Sequence, residues 1–309
     1  MRKKALIAAT LSLLVAWAPA AVAVDAPPCG ETGVWIQILG AGGPELDDTR
    51  APSSYVVWLD NRARLLVGTA PGASVRFDQI GARFVDLDAI VLTHLHADHS
   101  ADFPSFINGG RFLARTRPLT VLGPEGDENF PDTKTFVRRM IGPDGAFPHL
   151  ADSLIRKPDG GYRLLVRNVP AKGRQRWAGF ASDHFRLAAI PVHHGGVPTL
   201  AWRVEAADKS IVFAGDFSNQ KDLVAGFAKD VDALVVSHAL PETARPAARE
   251  EFAIPSKLGR VAARADARML ILGHRTNATR GRESQSIEAI EREYLGPVIF
   301  ADGLECWGL

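Results

Sequence analysis

Short runs of apolar, often β-branched residues recur along the chain, separated by glycine, proline and charged residues. They predict strands over residues 34–39, 55–59, 63–67, 89–92, 119–122, 162–166, 185–191, 200–205, 210–214, 233–237, 269–272 and 298–300. Many of these runs are apolar throughout rather than alternating, as expected of strands covered on both faces. Helices are predicted over residues 74–80, 101–112, 132–140, 221–227, 255–265 and 284–294, the last with Ile287 and Ile290 on one face among charged residues. Strands in runs with helices interspersed imply an α/β protein in which two sheets pack together under outer helices. The span 123–172 is rich in glycine, proline and charge, and reads as an insertion or lid.

The first residues break this pattern. Arg2, Lys3 and Lys4 precede a mostly apolar stretch, and Ala21-Val22-Ala23 offers the small residues that a signal peptidase prefers. The expectation is a cleavable signal over residues 1–23 and one hydrolase-sized domain over 24–309, exported to the periplasm or secreted. The apolar core is short for a bilayer span, so no stable membrane anchor is expected after cleavage. With 309 residues, 46% hydrophobic and 23% charged, the chain can bury a large single core. Formal net charge is +1, and losing the three positive leader residues leaves the mature chain near −2. That balance, with no basic tail or stripe, leads to an expectation of a small-molecule, ester-like substrate and no nucleic acid. Cys29 and Cys306 stand at opposite ends of the mature chain and can pair in an oxidising compartment.

The chemistry is concentrated in Thr93-His94-Leu95-His96-Ala97-Asp98-His99-Ser100, between an apolar strand and a helix. Three imidazoles and one carboxylate in a strand-to-helix turn can face two adjacent cations, and this mix of nitrogen and oxygen donors suits zinc-like metals. Three further candidates follow apolar strands. Pro191-Val192-His193-His194-Gly195-Gly196 offers two histidines that residue chemistry alone does not separate. Asp216, after Phe213-Ala214-Gly215, suits a bridging carboxylate, and His274 closes Ile271-Leu272-Gly273. Solvated loop histidines and a helix N-cap at Asp216 are the plainer alternatives. The run Gly40-Ala41-Gly42-Gly43 lacks the spacing of a dinucleotide-binding turn, so no organic cofactor is expected.

These segments resemble the metallo-β-lactamase fold hydrolases, with H-x-H-x-D-H as the signature. Leu39-Gly40-Ala41-Gly42-Gly43-Pro44 is similar to the glycine-rich turn after the family's first strand, and Arg50-Ala51-Pro52-Ser53-Ser54-Tyr55 to the start of its next. The nearest branch looks like that of ribonuclease Z, the arylsulfatase-like enzymes and related phosphodiesterases. The resemblance implies an αββα four-layer sandwich and a metal-dependent hydrolase with two divalent ions, zinc first. His94, His96 and His194 would hold one ion and Asp98, His99 and His274 the other, with Asp216 bridging. By similarity to the family's D-H-G-x-V-P pattern, His194 rather than His193 is the ligand.

The reaction implied is attack by a water shared between the two ions on a phosphodiester, sulfate ester or lactone, with its pKa lowered from that of bulk water toward about 7. Asp98 is expected to move protons as well as ligate. His238, in Val236-Ser237-His238-Ala239, is expected near the leaving group by similarity to the phosphodiesterase branch, and Arg275 is a second candidate there. One departure stands out: where relatives carry aspartate after the third strand, this chain has Gly68, which removes a partner of the metal loop. Three other readings follow: a periplasmic metal- or ligand-binding protein on a non-catalytic fold, an iron redox enzyme, and a ribonuclease Z-like nuclease. Export and the missing basic surface weigh against the last.

Overall fold

A computed structural model describes residues 29–155 and 161–309. The expected signal segment, residues 1–23, lies outside the described residues.

The apolar runs form two seven-stranded sheets among the described residues. The first holds β1 (Val34–Gly40), β2 (Ser54–Leu59), β3 (Arg62–Val67), β4 (Ala89–Val91), β5 (Leu119–Pro124), β6 (Leu164–Val169) and the late strand β14 (Cys306–Gly308), in the order β14-β1-β2-β3-β4-β5-β6. The second holds β7 (Trp177–Ala181), β8 (Arg186–Val192), β9 (Thr199–Ala206), β10 (Lys209–Phe213), β11 (Ala233–Ser237), β12 (Leu270–Gly273) and β13 (Val298–Phe300), in the order β13-β12-β11-β10-β9-β8-β7. Each sheet starts as an antiparallel meander and continues as parallel strands. Helical crossovers therefore fall outside each sheet, because a parallel neighbour is reached only by crossing its face.

The helices are α1 (Ala73–Gln79), α2 (Ala97–Ser100), α3 (Phe103–Gly110), α4 (Thr133–Ile141), α5 (Asp152–Ile155), α6 (Val224–Phe227), α7 (Pro255–Ala265) and α8 (Glu283–Glu291). Alternation along each strand splits the apolar residues between layers. In β11, Val235 faces the core between the sheets, while Leu234 and Val236 face the helices. Leu66, Ile90 and Val121 cover the other outer layer with Phe77, Phe103 and Ile107. The result is the αββα sandwich. The helix at 255–265 lies at its expected bounds: Pro255 opens it, and Asp266, with φ 52°, turns left-handed after its last residue.

Three expectations change. Strands β7 and β14 were not legible, since one contains a glycine and the other has only three residues. Within the span 123–172, α4 and β6 belong to the sandwich rather than to an insertion or lid: Val137 and Ile141 of α4 are buried, and β6 pairs with β5 from Leu164 to Val169. The helix foreseen at 221–227 is confined to α6. Cys29 and Cys306 form a disulfide with Cα atoms 5.6 Å apart, tying the start of the described chain to β14.

Candidate metal centre

Strands β8, β10 and β12 run in the same direction, and the segment after β4 in the facing sheet meets their carboxyl ends at one edge of the sandwich, Leu200 N–H donating to Thr93 O. Each releases a polar side chain there. His94 follows β4, His194 follows β8, Asp216 follows β10 and His274 follows β12. The backbone is shaped for this. Gly215 has φ +63°, a conformation open to glycine, and a Cβ at Gly273 would run into the Tyr55 hydroxyl. His274 itself is left-handed, with φ 45°, and its N–H donates to Ser53 Oγ at 2.9 Å. A histidine held in that region is strained backbone fixed by its surroundings, as at many functional sites.

Asp216 sits at the middle of the convergence. Its Oδ2 lies 3.7 Å from His94 Nε2, 3.3 Å from His99 Nε2, 3.8 Å from His194 Nε2 and 3.3 Å from His274 Nε2. Its other oxygen accepts from Ser237 Oγ at 2.5 Å. Asp98 Oδ2 is 3.4 Å from His99 Nε2 and 3.3 Å from His274 Nε2. His94 Nε2 is 3.2 Å from His96 Nδ1. The donor atoms form three groups: His94, His96 and His194; His94, His99 and Asp216; and Asp98, His99 and His274.

Two observations show that this donor set fits divalent ions. The Nε2 atoms of His99 and His194 are buried with no hydrogen-bond partner, which is costly unless a cation satisfies them. Two donors on one tetrahedral zinc, each at about 2.0–2.1 Å, stand about 3.3 Å apart, close to the separations around Asp216 Oδ2. The surrounding bonds also set the lone pairs. His194 Nδ1 lies 3.0 Å from the Glu251 carbonyl, which only accepts, so Nδ1 carries the proton and Nε2 is free to ligate. His193 is turned away, its Nδ1 3.0 Å from Ser218 Oγ, so of the two histidines His194 is the one in the cluster.

Electrostatics follow from burial. Desolvation alone would raise the carboxyls of Asp98 and Asp216, but the neighbouring imidazoles, His274 and His99 among them, hold both far below the usual range. Burial opposes charge on His99, yet the carboxylates of Asp216 and Asp98 outweigh it and push its pKa up to about 10. His94 is driven well below its ordinary value by burial and then by the charge of His99. Ions entering the centre therefore displace bound protons.

Two expected helpers are not brought to the cluster. His238 follows Ser237, and strand alternation puts it on the opposite face, fully buried, with Nε2 2.8 Å from Ser286 Oγ and its ring beside Phe300. Burial, then the charge of Arg275, lowers its pKa to about 4, so it is a neutral packed imidazole rather than a group at the leaving oxygen. Arg275 is also committed, with Nη2 2.8 Å from Glu283 Oε1 and Nη1 3.2 Å from Asp302 Oδ1. Gly68 has φ +76°, and the partner it lacks is supplied by its neighbour: Thr69 N–H donates to His99 O at 2.9 Å, and Thr69 Oγ1 donates to Ser100 O at 3.3 Å.

Phe252 was not foreseen. Its ring centroid is 5.0 Å from that of His194 and 5.6 Å from that of His274, so one aromatic spans both halves of the centre. Phe130 approaches His96 at 6.5 Å. Both lie in loops without a motif, and only the fold brings them near.

Comparison with known proteins agrees with this architecture. A family model described as "Beta-lactamase superfamily domain" matches residues 63–275, which include all seven candidate ligands. A ribonuclease Z of Mycobacterium sp. (strain KMS) is 32% identical over 186 residues, 59% of this chain and 60% of that protein. The chain thus matches about three fifths of the length of that relative. Among solved structures, the human tRNase Z short form aligns with TM-score 0.70 at 17% identity, covering 89% of this chain and 98% of the other. Zinc-bound PqqB from Methylobacterium extorquens aligns with TM-score 0.61 at 16% identity, covering 89% and 100%. At such identities these two show the fold alone. The expectation of a small-molecule substrate with no nucleic acid is corrected by these findings: the curated relatives are named as ribonucleases, so a near-neutral net charge does not exclude nucleic acid. The chain belongs to the metallo-β-lactamase superfamily, on its ribonuclease Z branch.

Proposed function

We propose that the protein is a ribonuclease Z-like phosphodiesterase that cuts RNA with two divalent ions, zinc first. The observation that carries the reading is the placement of Asp216 Oδ2 within 3.8 Å of four imidazoles from three other chain segments, in a chain similar to ribonuclease Z proteins. His94, His96 and His194 would hold one ion and Asp98, His99 and His274 the other, with Asp216 placed to serve both. Bound there, the ions make a water nucleophilic near neutral pH and offset the charge that builds on a phosphoryl oxygen.

The chain's own residues do the rest. Ser237 fixes the Asp216 carboxylate through Oδ1, leaving Oδ2 for the centre. The Glu251 carbonyl fixes the His194 ring. Asp98, ionised and only partly buried, is the base placed to take the proton of the attacking water and to return it to the ribose oxygen that leaves as the P–O bond of the RNA breaks. Residues 1–23 act as a cleavable export signal, so the mature chain starts at Val24.

The test is cleavage of RNA by the metal-loaded protein, with bis(p-nitrophenyl) phosphate run beside it. Both activities are expected, and both are lost in His96→Ala along with bound metal. Metal-replete protein that leaves RNA intact while hydrolysing other esters would reject the RNA reading.

A further inference from the structure

We propose that a basic groove between α4 and β6 is the track on which the RNA strand lies as it enters the metal centre. The proposal rests on the RNA reading above and adds the surface that holds the strand.

The groove is lined by Lys134 and Arg138 of α4 and by Arg163 and Arg167 around β6, over a floor that includes Val137 and Leu165. All four cations are exposed. Among the described residues none of them forms an ion pair. No Asp or Glu among the described residues lines the groove. The sequence around β6 has the same bias: from Gly160 to Ser182 there are five cations, Arg163, Arg167, Lys172, Arg174 and Arg176, and no acid. A near-neutral chain has separated its charges in space, and an unpaired cationic groove is the complement of a phosphate backbone.

The spacing follows the secondary structure. Lys134 and Arg138 are four apart on a helix, hence on one face and about 6 Å apart along its axis. Arg163 and Arg167 are four apart on an extended segment, hence on one face and about 13 Å apart. Leu164 and Asn168 of β6 face α4, so Arg163 and Arg167 stand on the strand's other face and the two rows flank its open edge, with Asp132, the N-cap of α4, near Lys134 at one end.

Its position ties it to the centre. Strand β6 is parallel to β5 and β4, so its carboxyl end, with Arg167, lies at the edge where β4 releases His94. Helix α4 starts at that same edge, and the Lys134 N–H donates to Asn168 Oδ1 at 2.9 Å. The loop just before α4 carries Phe130, whose ring is 6.5 Å from that of His96. The groove thus runs from the mouth of the metal centre outward along the sheet edge. Cations on an edge strand also discourage sheet-to-sheet pairing, but Lys134 and Arg138 are on a helix and serve no such purpose.

Two double variants of the full, metal-loaded chain test the assignment: Arg163→Gln with Arg167→Gln, and Lys134→Gln with Arg138→Gln. Each is expected to raise KM for a short single-stranded RNA by about tenfold or more and to flatten its dependence on salt, since two phosphate contacts are lost. The kcat on RNA and the hydrolysis of bis(p-nitrophenyl) phosphate stay as in the wild type. Wild-type protein that cuts RNA, with variants whose KM is unchanged, overturns the groove alone. Wild-type protein that hydrolyses the small diester but neither binds nor cuts RNA overturns the RNA reading and the groove together.

Discussion

Two buried aspartates at opposite ends of the sandwich face histidines in contrasting ways. Asp88, before β4, is satisfied on every side. Arg117 donates to its Oδ1, and its Oδ2 receives His184 Nδ1 at 2.6 Å and Ser182 Oγ at 3.1 Å. Asp216, at the carboxyl end of β10, has four imidazole nitrogens around Oδ2 at 3.3–3.8 Å, longer than good hydrogen bonds. Two of those nitrogens, on His99 and His194, have no hydrogen-bond partner. One end is a closed polar clamp that joins the two sheets. The other is a polar cage completed by cations. Buried His and Asp residues alone do not mark a metal site; unsatisfied donors that converge on one oxygen do.

Removing the centre of the cage has the largest expected effect. Asp216→Ala should lose metal and lower hydrolysis by more than about 100-fold, because loss of a ligand outweighs loss of a supporting partner, itself worth about 10–100-fold. Added zinc should raise the melting temperature of the wild type, by about 2.7 kcal/mol of stability at 100 times Kd, and leave that of Asp216→Ala unmoved. A smaller change tests the support of the cage. Ser237→Ala removes the donor to Asp216 Oδ1 and should weaken metal affinity about tenfold while the protein stays folded.

The clamp should respond in the reverse sense. Asp88→Asn should cost about 2 kcal/mol of stability, equally with and without metal, since it weakens bonds to charged partners and leaves the centre untouched. Calorimetry of both forms checks this. Burial alone would raise the Asp88 carboxyl, but its bonds to Arg117 and His184 hold it below its ordinary value. Its contribution is therefore fully present above the unfolded value of about 3.9 and lost as pH falls through the lower folded value. The smallest effect expected is a flatter acid limb in the stability profile of Asp88→Asn.

The cage was legible in the sequence and the clamp was not, for a physical reason. Every ligand follows a run of buried strand residues, and the strand directions that bring His94, His194, Asp216 and His274 together are those of the sandwich the pattern implies. Asp88, Arg117 and His184 are scattered through the chain with no motif around any of them, and only the contact between sheets unites them. Phe252 was hidden for the same reason. His238 looked like a ligand neighbour because it follows an apolar strand, yet alternation fixes its face, and Ser237 takes the inner one. The basic groove was masked by averaging: a net charge near zero says nothing about how cations and acids are distributed.

Metal content per chain, measured on protein equilibrated with zinc and freed of excess, is the most direct test of the cage. The account predicts about two ions in the wild type and loss of at least one in both Asp216→Ala and His274→Ala, with Asp88→Asn unchanged. Wild-type protein that retains no metal, or full occupancy in both ligand variants, would contradict it.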